Sequence, residues 1–528
     1  MSRPTRPFIF GLLILLASCK TAHEAPPTNP EQLATPAVAK VVFNSDPNLT
    51  HKLDALLSEP DFNTSRLGVA IISLRDGKLI YQRNGGKSFT PASNMKVFTT
   101  AVALDLLGAD YRWRTSVYAT SDADSAGTIN GDLVLYGRGA PDLVARNKAD
   151  NKNSLEELAQ SLSRRGVRKI TGNVIGDESY FRGEPIGEGW QWNDLQWYFG
   201  AEASALTINS NAVDVSVAAP EKNENQPKVT LSDDDGYLTV TNNMQLVQRG
   251  AEFTLGVNKG ISDNNVTVWG EFPLGAHGYG ATLSVHRPSL WAARLFVREL
   301  KAAGISVAGI AEYRDSKTPR NQRFDPTKNI ELATVSGKSL AEIVHETNKQ
   351  SINLYAELLL RTLGRERSGM LAPEPPVGRE RGDEEAGATL ILLWLARAGI
   401  VTRGVAIHDG SGLSRLDLVT PEATAGLLAA IRRTNSAQIF TDSLPLAGVD
   451  GTLGGRLKQY SGQIQAKTGL LTYDNALSGF VTGNDGKTLA FSIISNDFVG
   501  KPGAISLIDR IVSTLAEHQT HSPNPPNQ

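Results

Sequence analysis

The sequence predicts a mixed α/β fold of the α+β type, in which one sheet-and-helix domain is interrupted by a strand-rich insertion of two parts. The first observation is that strand and helix patterns recur at residues 67–107 and 463–517, so both ends of the chain can share one sheet. The second is a long run of short, alternating apolar segments at residues 111–313. The third is the length of 528 residues, which exceeds one ordinary core and indicates two or three domains.

The composition narrows the classes of function. The chain is 40% hydrophobic and 20% charged, with a formal net charge of -2. It has no basic run and no aromatic residues interleaved with basic ones, so nucleic acid is not an expected partner. The glycine-rich runs at residues 410–412 and 448–455 lack the lysine ending of a phosphate loop and are interpreted as turns. The histidines, including His345 and His408, lack the spacing of a zinc site, so we expect no metal and no cofactor.

Residues 1–18 are typical of an export signal, with a basic start and an apolar stretch at residues 8–17 that is too short to span a bilayer as a mature helix. Cys19, the only cysteine of the chain, follows directly and resembles the lipidated cysteine of a bacterial lipobox. We therefore predict a lipid anchor on Cys19, since each buried methylene adds roughly 0.8 kcal/mol. The predicted location is periplasmic, and Lys20 favours the outer membrane by resemblance to the sorting rules of enteric bacteria.

The body of the chain lies between two proline-rich segments. Residues 19–40 are predicted to form a disordered tether, and residues 518–528 a disordered tail. Between them, we expect the N-terminal part of the sheet-and-helix domain at residues 41–110, the insertion at 111–325 and the C-terminal part at 326–517.

Elements inside these segments are assigned from apolar periodicity. Residues 68–73 and 79–81 are apolar runs that flank an Asp-Gly turn, which predicts a β-hairpin. A charged, proline-containing segment at residues 365–383 predicts a mobile surface loop. Helices are predicted at residues 154–165, 288–303, 340–364, 385–398 and 503–517, and the strands of the C-terminal part at 463–466, 476–482 and 488–495.

A further helix follows the hairpin, with Thr90 as its N-cap, Pro91 at its first position and Gly108 at its end. Ser93 lies in its first turn, and Lys96 follows three positions later. Residues at this spacing have Cβ atoms about 5–6 Å apart on one face, so the Lys96 amine can reach the Ser93 hydroxyl. The helix N-terminus adds N–H groups that can hold an oxyanion. This arrangement is typical of a serine nucleophile with an adjacent base, provided that burial or a second cation keeps Lys96 neutral.

Ser351-Ile352-Asn353 opens a predicted helix, whose first turn can present a hydroxyl and an amide. We interpret Ser351 as a proton relay to a leaving amine and Asn353 as a ligand for a substrate amide. A literal Ser-Asp-Asn match at residues 262–264 competes with this motif. It lies in a polar turn before a predicted strand, and we therefore favour Ser351 and Asn353.

Lys467-Thr468-Gly469 follows the strand predicted at residues 463–466. The glycine would let an extended peptide approach the strand edge, and the lysine and threonine can bind a terminal carboxylate. Lys467 is also the candidate for the second cation that lowers the pKa of Lys96. Taken alone, the motif fits a strand that ends in an ordinary turn equally well.

These three motifs, in this order, resemble those of the D-Ala-D-Ala carboxypeptidase/endopeptidase family of low-molecular-mass class C penicillin-binding proteins. The segments at residues 409–415 and 448–453 contribute to the resemblance, which covers residues 41–517. The long gap between Ser93 and Ser351 matches the two inserted domains of that family. Class A β-lactamases resemble the motifs but have a much shorter gap.

The resemblance implies a β-lactamase/transpeptidase-like serine acyl-transferase domain that acts on peptidoglycan stem peptides, is inhibited by β-lactams and needs no cofactor. Ser93 would attack the carbonyl of the penultimate D-alanine, with the N–H groups of Ser93 and Leu470 as the oxyanion hole. Leu470 departs from the serine or threonine that most relatives carry, so it offers a substrate carboxylate no hydroxyl. A β-lactamase or esterase on the same scaffold, and a catalytically weak cell-wall-binding lipoprotein, remain as alternatives.

Overall fold

The protein is described by a computed structural model over residues 45–63, 65–145, 152–221, 224–233, 235–371, 381–501 and 503–518. The predicted signal, the lipidation site at Cys19 and the tether at residues 19–40 lie outside these ranges, as do residues 519–528 of the predicted tail. The first residue of that tail, His518, is instead buried beside Asp46.

Within the described residues the chain forms ten α-helices and nineteen strands. The helices are α1 (Pro47–Leu57), α2 (Met95–Leu107), α3 (Ser154–Arg164), α4 (Pro288–Ala302), α5 (Leu340–Gln350), α6 (Asn353–Arg367), α7 (Asp383–Arg397), α8 (Pro421–Ile431), α9 (Ala437–Ser443) and α10 (Ala504–Ala516). The strands are β1 (Arg66–Ser73), β2 (Leu79–Arg83), β3 (Arg112–Ala119), β4 (Thr128–Ile129), β5 (Leu133–Tyr136), β6 (Lys169–Ile170), β7 (Val174–Asp177), β8 (Ala212–Ala218), β9 (Lys228–Leu231), β10 (Thr239–Val247), β11 (Gly256–Lys259), β12 (Asn265–Pro273), β13 (Tyr279–Ser284), β14 (Ser306–Val307), β15 (Ala311–Arg314), β16 (Ile330–Ser339), β17 (Ile464–Leu471), β18 (Asp474–Thr482) and β19 (Thr488–Asn496).

One five-stranded sheet joins the two ends of the chain. Its strand order is β17-β18-β19-β1-β2, and all neighbouring strands are antiparallel. The apolar residues of α1 and α10 share a buried core with this sheet, while α8 contacts β1, β19 and α2. Six consecutive residues of β1 are buried, which means that helices cover both faces of the sheet.

The strand-rich region contains a second five-stranded sheet of order β15-β7-β5-β3-β16 and three smaller sheets. Helices α3 and α4 pack against each other, and α4 contacts β7 and β15. Apolar residues of these elements form one continuous core with those of β8, β10 and β12. Because β16 pairs with β3, this sheet continues to Ser339, beyond the predicted end of the insertion at residue 325.

The predicted hairpin is present as β1 and β2, with Gly77 at φ +71° in its turn. The helix predicted at residues 340–364 is instead two helices, because Ser351 adopts the left-handed conformation at φ +60° and ends α5. The surface loop predicted at residues 365–383 includes helical residues at both of its ends, and its residues 372–380 lie outside the described ranges. Helix α6 continues through Arg367, and α7 begins at Asp383.

The predicted N-cap at Thr90 is also wrong. Its N–H donates to Asn496 Oδ1 at 2.9 Å and its carbonyl accepts from Asn496 Nδ2 at 3.1 Å, so the backbone of Thr90 is held by the end of β19. A short 3-10 turn at Ala92–Asn94 follows, and α2 begins only at Met95.

Candidate active site

Ser93 lies in the middle of the 3-10 turn that precedes α2 and is partly exposed. Two close contacts fix this turn. Asn94 Nδ2 donates to the carbonyl oxygen of Lys467 at 2.9 Å, and the backbone of Gly412 lies against the carbonyl of Ala92. Ala92 has φ +49°, a strained value for alanine. The hydroxyl of Ser93 is therefore presented by a turn that tertiary contacts hold in place.

Lys96 is completely buried one helical turn after Ser93. Its Nζ donates to Ser93 Oγ at 3.0 Å, to Asn353 Oδ1 at 2.7 Å and to the carbonyl oxygen of Ser411 at 2.8 Å. Burial lowers the pKa of Lys96 to about 8, against the opposing influence of nearby carboxyl groups. The lowered pKa expected from the sequence is confirmed, and it makes the neutral amine accessible near neutral pH.

Lys467 forms a second buried pair with the hydroxyl of Ser351, to which its Nζ donates at 2.8 Å. Burial and, second, repulsion from Lys96 hold the pKa of Lys467 well below its usual range. The sequence left two causes open for a lowered pKa of Lys96, burial or a second cation, with Lys467 as the candidate for that cation. In the structure burial is the main cause at Lys96, and the repulsion between the two ammonium groups lowers the pKa of Lys467.

Lys467, Thr468 and Gly469 lie within β17 rather than after a strand, because β17 continues to Leu471. Gly469 has a packing role that the sequence analysis missed, since a Cβ there would lie 2.7 Å from the carbonyl oxygen of Pro91. Thr468 Oγ1 is 2.7 Å from Thr452 Oγ1. The side chain of Leu470 is largely exposed, at 67%.

These residues border a cleft of about 810 Å³, here called the central cleft. One wall comes from the strand-rich region, and Asn353 Nδ2 donates to the carbonyl oxygen of Phe199 there at 3.0 Å. Both lysines are buried behind the two serines. The central cleft is lined by Ser93, Gln191, Asn193, Asp194, Tyr198, Phe199, Gln350, Ser351, Ile352, Asn353, Gly412, Leu413, Arg415, Thr452, Arg456, Thr468, Gly469, Leu470, Leu471, Thr472, Asn475, Ala476, Ile505 and Ile508.

The structure thus brings all eight residues proposed for the site to one place: Ser93, Lys96, Ser351, Asn353, Lys467, Thr468, Gly469 and Leu470. The competing match at residues 262–264 lies between β11 and β12, where Ser262 borders a different cleft.

Behind Lys96 lies a group of buried carboxyl side chains, here called the carboxyl cluster, for which the sequence predicted no role: Glu357, Asp409 and Asp417. In the sequence, Asp409 opens the glycine-rich segment that contributes to the family resemblance, Asp417 follows it, and Glu357 is one helical turn after Asn353. Over the described residues, no group of three or more His, Cys, Asp or Glu side chains could hold a metal ion. In the same part of the chain, every helix is too short or too polar to cross a membrane.

Comparison with known proteins gives consistent matches. Residues 49–518 match the model of the D-Ala-D-Ala carboxypeptidase 3 (S13) family. The chain is 32% identical over 508 residues to a D-alanyl-D-alanine carboxypeptidase of Actinomadura sp. (strain R39). The aligned region covers 92% of this chain and 88% of that protein. It is 26% identical over 447 residues to D-alanyl-D-alanine carboxypeptidase DacB of Haemophilus influenzae, with 82% and 86% covered.

Among solved structures, penicillin binding protein 4 of Haemophilus influenzae superimposes with a TM-score of 0.72 at 24% identity, covering 88% of this chain and 99% of that chain. This match confirms the predicted mixed α/β fold. Together with the family match over residues 49–518, it leads to one conclusion: the chain belongs to the D-Ala-D-Ala carboxypeptidase 3 (S13) family.

Proposed function

We propose that the protein is a serine D-alanyl-D-alanine peptidase that cuts peptidoglycan stem peptides through an acyl-enzyme on Ser93. The observation that carries the proposal is the pair of serine–lysine contacts in one cleft, Ser93 with Lys96 at 3.0 Å and Ser351 with Lys467 at 2.8 Å. Two relatives in the same family are named D-alanyl-D-alanine carboxypeptidases, which supports this substrate class.

Acylation begins when neutral Lys96 takes the proton of Ser93 Oγ, and the oxygen attacks the carbonyl carbon of the penultimate D-alanine. The N–H groups of Ser93 and Leu470 hold the resulting oxyanion. The peptide C–N bond then breaks, and the leaving nitrogen receives its proton from the hydroxyl of Ser351, which takes up in its place the proton that Lys96 removed from Ser93. Water attacks the ester on Ser93 next and releases the acid, which restores the serine.

Substrate binding uses the part of β17 that borders the central cleft. The preceding part, up to Ala466, already bonds to residues 445–447. An extended peptide can add antiparallel to the cleft-facing part, with Asn353 on a substrate amide and Thr468 near its terminal carboxylate. Leu470 adds an apolar contact where a hydroxyl would otherwise meet that carboxylate.

We further propose a cellular location for the protein. Export, lipidation of Cys19 and a periplasmic location at the outer membrane are supported by the apolar leader, the single cysteine at its end and Lys20. Mass analysis of the mature N-terminal peptide tests this part, because a Cys19→Ser variant should lose the acyl groups.

Mass spectrometry of purified muropeptides incubated with the protein tests the activity. We expect loss of a terminal D-alanine, splitting of cross-linked dimers, or both, and neither product with Ser93→Ala, because that variant lacks the attacking oxygen. Unchanged muropeptides with the wild-type protein would contradict the proposal. Rapid penicillin turnover in that case would indicate a β-lactamase instead, and binding without turnover would indicate a cell-wall-binding lipoprotein.

A further inference from the structure

Asp409 is a fully buried carboxyl group behind the candidate active site. Its Oδ1 accepts from the N–H groups of Ser411 at 3.1 Å and Gly412 at 2.7 Å. Its Oδ2 accepts from the N–H of Ser414 at 2.8 Å, from the hydroxyl of Ser411 at 3.3 Å and from Trp190 Nε1 at 2.8 Å. Five donors around one carboxyl group form the environment of an anion, since each bond is stronger to the charged form.

The other two carboxyl groups of the cluster, on Glu357 and Asp417, have different hydrogen-bond donors from Asp409. Glu357 accepts from the N–H groups of Gly410 and Ser411, and Asp417 accepts from the N–H of His408 at 2.7 Å. Burial, followed by the charge of Asp409, raises the pKa of Glu357 to about 8 and that of Asp417 well above its usual range. Among the three carboxyl groups, Asp409 has the largest electrostatic influence on Lys96, followed by Glu357 and Asp417, and all three favour the ammonium form.

The segment at residues 409–415, which contains Asp409 and Ser411, contacts Lys96 directly. The carbonyl oxygen of Ser411 accepts from Lys96 Nζ at 2.8 Å, and the N–H of Ser411 is bonded to both Asp409 and Glu357. These two bonds fix the peptide group between Gly410 and Ser411. They thereby also set the direction of the Ser411 carbonyl, which follows it. Without this acceptor, Lys96 would keep only Ser93 and Asn353 as partners.

We propose that Asp409 is a positioning residue for acylation, which holds the Ser411 carbonyl on Lys96 and places a buried carboxyl group where it favours the Lys96 ammonium. This inference rests on the proposed roles of Ser93 and Lys96. The other charged groups that interact with Lys96 are Lys467 on β17, Glu357 on α6 and Asp417, while Arg361 acts on Glu357.

The sign of the effect follows from electrostatics. A nearby anion stabilises the ammonium form of Lys96, so it opposes the lowering that burial causes. Loss of the anion leaves the ammonium less stable, and the neutral amine then persists to lower pH. For Asp409→Asn we expect the acid limb of the acylation rate to move down by about one pH unit, a tenfold change in proton affinity.

The test measures the second-order rate of acylation by a fluorescent penicillin across the pH range, using the full chain. Wild-type protein should show an acid limb near the Lys96 pKa of about 8, and Asp409→Asn the downward shift. Asp417→Asn is the matched control, because it makes the same substitution nearby at a carboxyl group that accepts from His408 and Asp409 rather than from Ser411. We expect its acid limb to move less than that of Asp409→Asn, since its influence on Lys96 is the smaller one.

Each outcome decides the question. If wild-type protein is not acylated, the proposed function fails and the Asp409 inference fails with it. If wild-type protein is acylated and Asp409→Asn lowers the rate equally at every pH, Asp409 is only structural and the inference is overturned. An acid limb of Asp409→Asn that coincides with that of the wild type also overturns the inference. Should Asp409→Asn not fold, Asp409→Glu takes its place, because it keeps a carboxyl group but moves it by one methylene. We expect a lower acylation rate from Asp409→Glu with the acid limb of the wild type, and an unchanged rate overturns the inference.

Discussion

Replacement of Lys96 by methionine is expected to lower the rate of acylation by a labelled penicillin about 10³-fold, because the variant has no base within reach of Ser93 Oγ. Methionine fills most of the space of the lysine stem, so the main change is loss of the amine. The acceptors on Asn353 and Ser411 lose their shared donor, which costs about 1–3 kcal/mol for each one that stays unpaired. Thermal unfolding verifies that the variant is folded before its rates are compared.

Lys259→Met is the matched control for this prediction. Lys259 is also a buried lysine whose pKa burial lowers, and its Nζ donates to the carbonyl oxygen of Gly260 at 2.8 Å. It lies in the strand-rich region and does not line the central cleft. We expect normal acylation from Lys259→Met. A Lys96→Met variant that is acylated within tenfold of this control would show that Lys96 is not the base.

Replacement of Gly412 by alanine is expected to lower acylation by about 10²-fold although no reacting group is removed, because misplacement of a nucleophile by about 1 Å costs that much. A Cβ on Gly412 would lie 1.8 Å from the carbonyl oxygen of Ala92, the residue before Ser93. Gly412 also has φ +82°, which strains any other residue. The turn that carries Ser93 must move, and stability should fall by about 1–3 kcal/mol.

Gly304→Ala is the control that separates the effect of backbone strain from the effect of displacing the turn that carries Ser93. Gly304 has nearly the same conformation, with φ +81°, but a Cβ there would meet no atom within 4 Å. We expect this variant to lose a similar part of its stability to strain and to keep its acylation rate. Equal acylation rates in the two alanine variants would mean that the position of the Ser93 turn does not limit the reaction.

The elements that could be predicted from the sequence are those with local signals. The Asp-Gly turn predicted the β1–β2 hairpin, and apolar periodicity predicted α3 and α4 to within one residue at each end. Asn153 caps α3 with its side chain, and Pro288 occupies the first turn of α4, so both helices begin where local chemistry favours a start.

The elements that could not be predicted depend on contacts between distant residues. Thr90 has the sequence of an N-cap, but its backbone bonds to Asn496, more than four hundred residues away in the chain. Ser351 breaks a helical pattern that has no proline and no glycine before Gly364, and Lys349, two residues earlier, is held by Asp450 through an ion pair. Ser93 and Lys96 could be paired from the sequence because they are three positions apart. Ser351 and Lys467 could be assigned because the three motifs occur in a specific order.

The buried carboxyl cluster illustrates the same limit for the site. Acidic residues in a glycine-rich turn are usually solvated, and nothing local indicates that Asp409 is enclosed by Trp190 from the strand-rich region. The sequence could therefore predict which side chains meet at the central cleft, but not which buried groups surround them.

Peptide mapping of the adduct with a labelled penicillin tests the central claim most directly. Attack by Ser93 on the strained amide opens the β-lactam ring and leaves a stable ester. We expect the whole mass of the opened antibiotic on the peptide that contains Ser93, and no adduct on Ser93→Ala. An adduct on Ser351 or any other residue, or none on folded wild-type protein, would contradict the account.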